Sequence, residues 1–315
     1  MENPFTLTFG QKPTEFISRT NQIGKIIHTF DMENPSNKVY MVAGVRGSGK
    51  TVSLAEIADH YSSNDQWIVL RLSADTDLIA GAVSELTRVS QFHDLDLGLN
   101  LNLGIAELSV NKTNDSLEKE AMLRNILEKL KNKGKKVLFI IDEINRGEIS
   151  KILGELFFSI DPGYRGKSGE VATQYSNMHT DPNEKFYIPE NVYIIGTMND
   201  IDRSVDSFDF AMRRRFRFVE LRADERLEML ANLNNEEKEA EAIARMSALN
   251  VEIAATEGLN ENYQIGASYF LKLKNIDFDQ LWSDYLHPLL QEYINGMYDE
   301  EGIMERFKKS YNQGK

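Results

Sequence analysis

The amino-acid sequence predicts an α/β protein: a parallel sheet with helices on both faces, followed by a smaller, all-helical unit. Apolar runs of strand length at Val39 to Ala43, Trp67 to Leu72, Val137 to Ile141 and Asn191 to Met198 alternate with segments of helical periodicity. From about Ala223 the strand signal stops and charged amphipathic helix replaces it. A chain of 315 residues with 41% hydrophobic content can bury one substantial core plus an appendage.

Taken in order, a first helix covers roughly Asn21 to Phe30, and the strand Val39 to Ala43 leads into a helix from Lys50 to about Tyr61. Strand Trp67 to Leu72 and helix Leu78 to Val89 follow. Leu95 to Leu103 alternates apolar and polar residues, the period of a half-exposed strand, which suggests a strand-rich insert near 92–112. The helix Ser116 to Lys131 takes Ser116 as its cap and has Glu118 and Glu120 in its first turn, where the helix dipole favours carboxylates. Gly134 then leads into Val137 to Ile141. Asp161 to Asn183, with Pro162, Pro182 and three glycines, reads as a loop or an exposed hairpin. Helices Arg226 to Ala254 and Phe278 to Tyr293 fill the C-terminal unit, so the expected division is 1–222 and 223–315.

Gly44-Val45-Arg46-Gly47-Ser48-Gly49-Lys50-Thr51 fits G-x-x-x-x-G-K-[ST] and sits between a strand and a helix. Glycines there let backbone N–H groups converge on a triphosphate; with Val52 these residues form the expected binding loop. Lys50 reaches the β and γ phosphates and the Thr51 hydroxyl ligates Mg²⁺. Val137 to Ile141 ends in Asp142-Glu143, a second nucleotide motif of the Walker B type. Asp142 would hold the metal through water, and Glu143 would polarise the water that attacks the γ phosphate. The third strand ends at Asn199, a candidate γ-phosphate sensor. Beyond it Arg203, Arg213, Arg214, Arg215 and Arg217 cluster in an otherwise acidic chain.

A formal net charge of −13 argues against nucleic-acid binding by the whole surface and leaves room only for a local basic patch. Without cysteine there are neither disulfides nor cysteine-ligated metals, and the five histidines lack metal-ligand spacing. No run of 18 apolar residues or signal-like N-terminus is present, so a cytoplasmic protein without a membrane partner is expected.

Asp142 to Gly147, Leu153 to Leu156, Pro189 to Asn199, Asp202 to Ser204 and Arg213 to Phe216 together resemble the AAA+ module of the McrB family, motor subunits of modification-dependent restriction systems. Ile265-Gly266-Ala267-Ser268-Tyr269-Phe270 resembles that family's lid, with Ala267 where the family has His. The similarity covers about 137–305. Residues 1–140, with Phe16-Ile17-Ser18-Arg19 ahead of the loop, resemble bacterial ATPases related to the origin-recognition and STAND groups, so the chain reads as a hybrid, natural or engineered. The resemblance implies a P-loop NTPase with a helical lid that assembles with itself into a ring, a hexamer, acting with an McrC-like nuclease subunit and DNA. It places Phe16 and Ile17 against the base and leans to ATP, with GTP left open. Arg214 and Arg215 are the candidates for a finger inserted into the neighbouring subunit's site. A nucleotide-controlled switch or scaffold with slow hydrolysis is the alternative.

Overall fold

The computed structural model describes residues 22–74, 78–92, 115–146, 159–171, 185–199, 201 and 213–314. Its centre is a five-stranded sheet built from β1 (Val39–Gly44), β2 (Trp67–Ser73), β3 (Lys136–Asp142), β4 (Val192–Asn199) and β5 (Arg217–Leu221), in the order β2-β3-β4-β1-β5. Every neighbouring pair is parallel. Register aligns Gly44 with Asn199 and Ser73 with Asp142, so the strands' carboxyl ends share one edge.

Both faces of this sheet are covered, which is why its inner strands read as unbroken apolar runs. Val39, Met41 and Ala43 turn to one face with Phe139, Ile141 and Ile194, and pack under helices α3 (Leu78–Phe92) and α4 (Asp115–Asn132). Tyr40 and Val42 turn to the other with Leu138, Ile140 and Tyr193, under α1 (Gln22–Asp31) and α2 (Lys50–Ser62). An aromatic cluster anchors the second face, with the Phe30 ring 4.8 Å from Tyr193 and 5.5 Å from Tyr40, centroid to centroid. A separate core of Met246, Leu249, Phe270, Leu286, Leu290 and Phe307 joins the C-terminal helices.

Several expectations change. β5 was not anticipated: the arginines around Phe216 were read for phosphate contact and not for a strand, but Leu221 is buried and the strand closes the sheet's edge beside β1. The continuous helix expected over Arg226 to Ala254 is instead a 3₁₀ helix, Ala223–Leu233, and an α-helix, Glu236–Ala255. Asn234 breaks them with a left-handed φ of 53°, and the Asn235 side chain caps the second by accepting from the Lys238 N–H at 2.9 Å. Helix α4 starts at Asp115, which puts Ser116 inside its first turn. The helix expected over Phe278 to Tyr293 contains a π turn, Trp282–Leu286, just before Pro288, which has no N–H for the regular ladder. In the expected loop at 161–183, two short 3₁₀ turns, Pro162–Tyr164 and Gly166–Gly169, bury Arg165, and an isolated antiparallel bridge joins Val171 to Phe186. The expected strand at 95–103 lies outside the described residues.

The chain's two tryptophans divide between the cores, Trp67 in the sheet and Trp282 among the C-terminal helices. Phe30→Ala should remove about 3–5 kcal/mol from the unfolding transition reported by Trp67 fluorescence in a Trp282→Phe background. The transition reported by Trp282 in a Trp67→Phe background should move far less.

Candidate functional site

The loop leaving β1 folds around its own lysine. Gly47 and Gly49 adopt φ of 80° and 88°, a region open to glycine without strain, and α2 begins at Lys50 directly afterwards. The Lys50 ammonium, in a residue 8% exposed, donates to the carbonyls of Gly44 and Val45, each at 2.8 Å. Its charge is thereby fixed beneath a ring of backbone at a helix N-terminus, an arrangement suited to phosphate.

Strand register brings the second and third motifs to this loop. Thr51 Oγ1 donates to Asp142 Oδ2 at 3.3 Å, and the other oxygen, Oδ1, accepts from the Thr197 hydroxyl. Thr197 also accepts from the Glu143 N–H at 2.8 Å. Glu143 takes a positive φ of 49°, a conformation that costs a non-glycine residue about 1–3 kcal/mol and persists where neighbours hold it. Asn199 Nδ2 donates to Glu143 Oε1 at 3.4 Å, and the buried Asn145 donates to the Asn199 carbonyl at 3.2 Å. Thr51, Asp142, Glu143 and Asn199 therefore converge at one edge of the sheet. The donors nearest the loop are a hydroxyl and a carboxylate, oxygen ligands of the kind a hard cation such as Mg²⁺ takes. Among the described residues no group of three or more His, Cys, Asp or Glu side chains is placed to hold a metal ion.

Known proteins match this arrangement. The family described as "AAA domain (dynein-related subfamily)" matches residues 40–216, more than half of the chain, and carries the loop, the Asp142-Glu143 strand and the Asn199 strand. The chain belongs to this AAA family. The matched range spans the junction at which the two sequence resemblances meet. A second family, "McrB, alpha-helical lid domain", matches residues 241–301 of the AAA chain. The "Type IV methyl-directed restriction enzyme EcoKMcrB subunit" of Escherichia coli (strain K12) is 38% identical over 190 residues, 56% of this chain and 41% of that protein. The "Type II restriction enzyme BsuMI component YdiS" of Bacillus subtilis (strain 168) is 30% identical over 99 residues, 30% of this chain and 29% of that protein. The AAA chain thus spans well under half the length of these curated relatives. Among solved structures, the Aeropyrum pernix ORC2 protein in ADPNP-ADP complexes is similar at a TM-score of 0.43 and 13% identity, covering 95% of this chain and 81% of that one.

The remaining expected site residues of this AAA protein are dispersed. Arg214 is exposed, whereas Arg215 is turned inward at 5% exposed, which leaves Arg214 as the outward member of the pair. Both enter β5 at its amino end. Arg217 is level with Tyr40, four residues below Gly44, so the arginines start about 13 Å down the sheet from the phosphate loop. Phe16 and Ile17 lie outside the described residues. Thr197 and Asn145 were missed in the sequence. A threonine within an apolar strand reads as an ordinary β-former, although its position two residues before Asn199 puts both on one face of β4.

Thr197→Val keeps the shape but removes the hydroxyl that accepts from the Glu143 N–H and donates to Asp142. It should cost about 1–3 kcal/mol of stability, measured by denaturant unfolding with Trp67 as reporter.

Proposed function

We propose that this chain is the nucleotide-driven core of a restriction system: an ATP hydrolase, with GTP as the competing substrate, built from a nucleotide-binding unit to residue 222 and a helical lid over 223–315. The observation that carries the reading is the separation of its parts. The groups that suit phosphate, metal and water meet at the carboxyl edge of the sheet, while the arginines enter β5 from the opposite edge.

In this mechanism the loop 44–51 holds the triphosphate through backbone N–H groups, with Lys50 as counter-charge. Thr51 and Asp142 would hold Mg²⁺, which supplies charge neutralisation on the phosphates when bound. Glu143 accepts a proton from, and orients, the attacking water, and Asn199 fixes the Glu143 carboxylate and faces the γ phosphate. Thr197 sets the Glu143 backbone and, through Asp142, ties the two motifs together. Arg214 lies ahead of the amino end of β5, the end away from its own loop. It would offset transition-state charge in a neighbouring copy, so the working form is a ring, read as a hexamer from the family resemblance. The restriction-enzyme names of the two relatives support a nuclease partner and DNA as the targets of the motion.

Complementation between two inactive proteins tests this arrangement. Lys50→Ala alone and Arg214→Ala alone should each lower Mg²⁺-dependent phosphate release by about 10³-fold or more, with Arg214→Ala still binding nucleotide. Mixed together, they should recover activity, because one copy contributes an intact loop and its neighbour an intact arginine. Failure of the mixture to recover, with both proteins co-assembled, would reject catalysis between subunits. Turnover untouched by Lys50→Ala would reject the NTPase reading itself.

A further inference from the structure

The lid rests on the outside of the phosphate loop, and the contact is made backbone to backbone. The Gly266 N–H donates to the Arg46 carbonyl at 3.0 Å and the Ser268 N–H to the Gly47 carbonyl at 3.3 Å. These two amides open the 3₁₀ helix Ala267–Lys274, and N–H groups in a first helical turn have no partner within the helix. The phosphate loop supplies the missing acceptors.

The approach leaves no room for a side chain. A Cβ on Gly266 would lie 2.3 Å from the Gly47 carbonyl carbon and 2.5 Å from the Ser48 nitrogen; one on Gly47 would lie 2.7 Å from the Tyr269 ring. On the lid side, a buried asparagine sets the height of the contact. Asn250 donates through Nδ2 to the Ile265 carbonyl at 3.0 Å and accepts from the Ile265 N–H at 2.7 Å, gripping the residue before Gly266 on both sides. Arg46 adds an exposed ion pair to Glu292 at 3.4 Å.

We infer that Gly266 and Ser268, presented by Asn250, are positioning residues that hold the phosphate loop in its anion-binding shape. Within a trans peptide the C=O and N–H point in opposite directions. Drawing the Arg46 carbonyl out towards the lid therefore turns the Gly47 N–H to the inner side of the loop, where a phosphate would sit. A hydrogen bond at that carbonyl also polarises the peptide and strengthens its N–H as a donor. The lid contributes to nucleotide affinity in this way with no side chain on the ligand. The coupling is reciprocal: whatever tightens the loop tightens the lid contact. The inference rests on the nucleotide-binding reading above and deepens it.

The test uses the full chain, ADP and a non-hydrolysable ATP analogue with Mg²⁺, and reads both the Kd and the rise in melting temperature that each nucleotide produces. Gly266→Ala should raise the Kd about tenfold and shrink that rise accordingly. Asn250→Ala, which leaves the contact surface intact but frees Ile265, should act in the same direction and keeps the question open to test if Gly266→Ala does not fold. Val251→Ser, on an exposed lid position, is the control. A lower melting temperature without nucleotide, with the nucleotide-induced rise and the Kd within about twofold of the unaltered chain, would make these residues merely structural and overturn the inference. If the unaltered chain binds neither nucleotide, or if Lys50→Ala binds as tightly as it does, the binding-site reading falls and the inference with it. Loss of binding in Lys50→Ala beside unchanged binding in Gly266→Ala overturns the lid's role alone.

Discussion

Parallel pairing of β1, β3 and β4 in one register is the constraint on which the site depends, because its functional side chains come from three segments far apart in the chain: Lys50 and Thr51, Asp142 and Glu143, and Thr197 and Asn199. Gly44 is level with Asn199, and Ile141 is level with Gly196, so Asp142 comes beside Thr197. A slip of one residue between β3 and β4 would turn Thr197 and Asn199 to the opposite face of the sheet and separate them from Asp142 and Glu143. Burial of both faces prevents the slip, since each strand presents apolar residues on each side and any shift exposes or crowds a core position. The chemistry is thus held in place by packing, and the positive φ of Glu143 is a local cost that the Thr197 hydrogen bond and the packed strand ends offset.

That balance explains which features could be read from the residues. Strands β1, β3 and β4 were legible because double burial demands continuous apolar runs, and the phosphate loop because its glycines have a backbone purpose that few other contexts require. β5 escaped detection as an edge strand of five residues, in which Arg217 and Glu220 interrupt the apolar pattern. The arginine run left Arg214 and Arg215 as equal candidates, since position along the chain does not say that Arg215 turns inward and Arg214 outward. Asn234 and Asn235, read as helical residues, instead take a left-handed turn and a cap, conformations to which asparagine is suited. Thr197 and the Asn250 grip on Ile265 depend on contacts between distant segments, which periodicity cannot register.

The same logic extends from the sheet to the lid. The phosphate loop turns the Arg46 and Gly47 carbonyls towards the lid, which meets them with the spare donors of a helix start. Two glycines, Gly47 and Gly266, make that approach geometrically feasible. The contact joins the backbone of the loop directly to the start of a lid helix.

Backbone hydrogen exchange, with and without a non-hydrolysable ATP analogue and Mg²⁺, tests most directly whether strand register assembles one cooperative site. Slower exchange should appear together in the phosphate loop at 44–51 and at Glu143, with the interior of β2 unchanged. Protection of the loop alone, with Glu143 exchanging as it does in the free protein, would contradict the account.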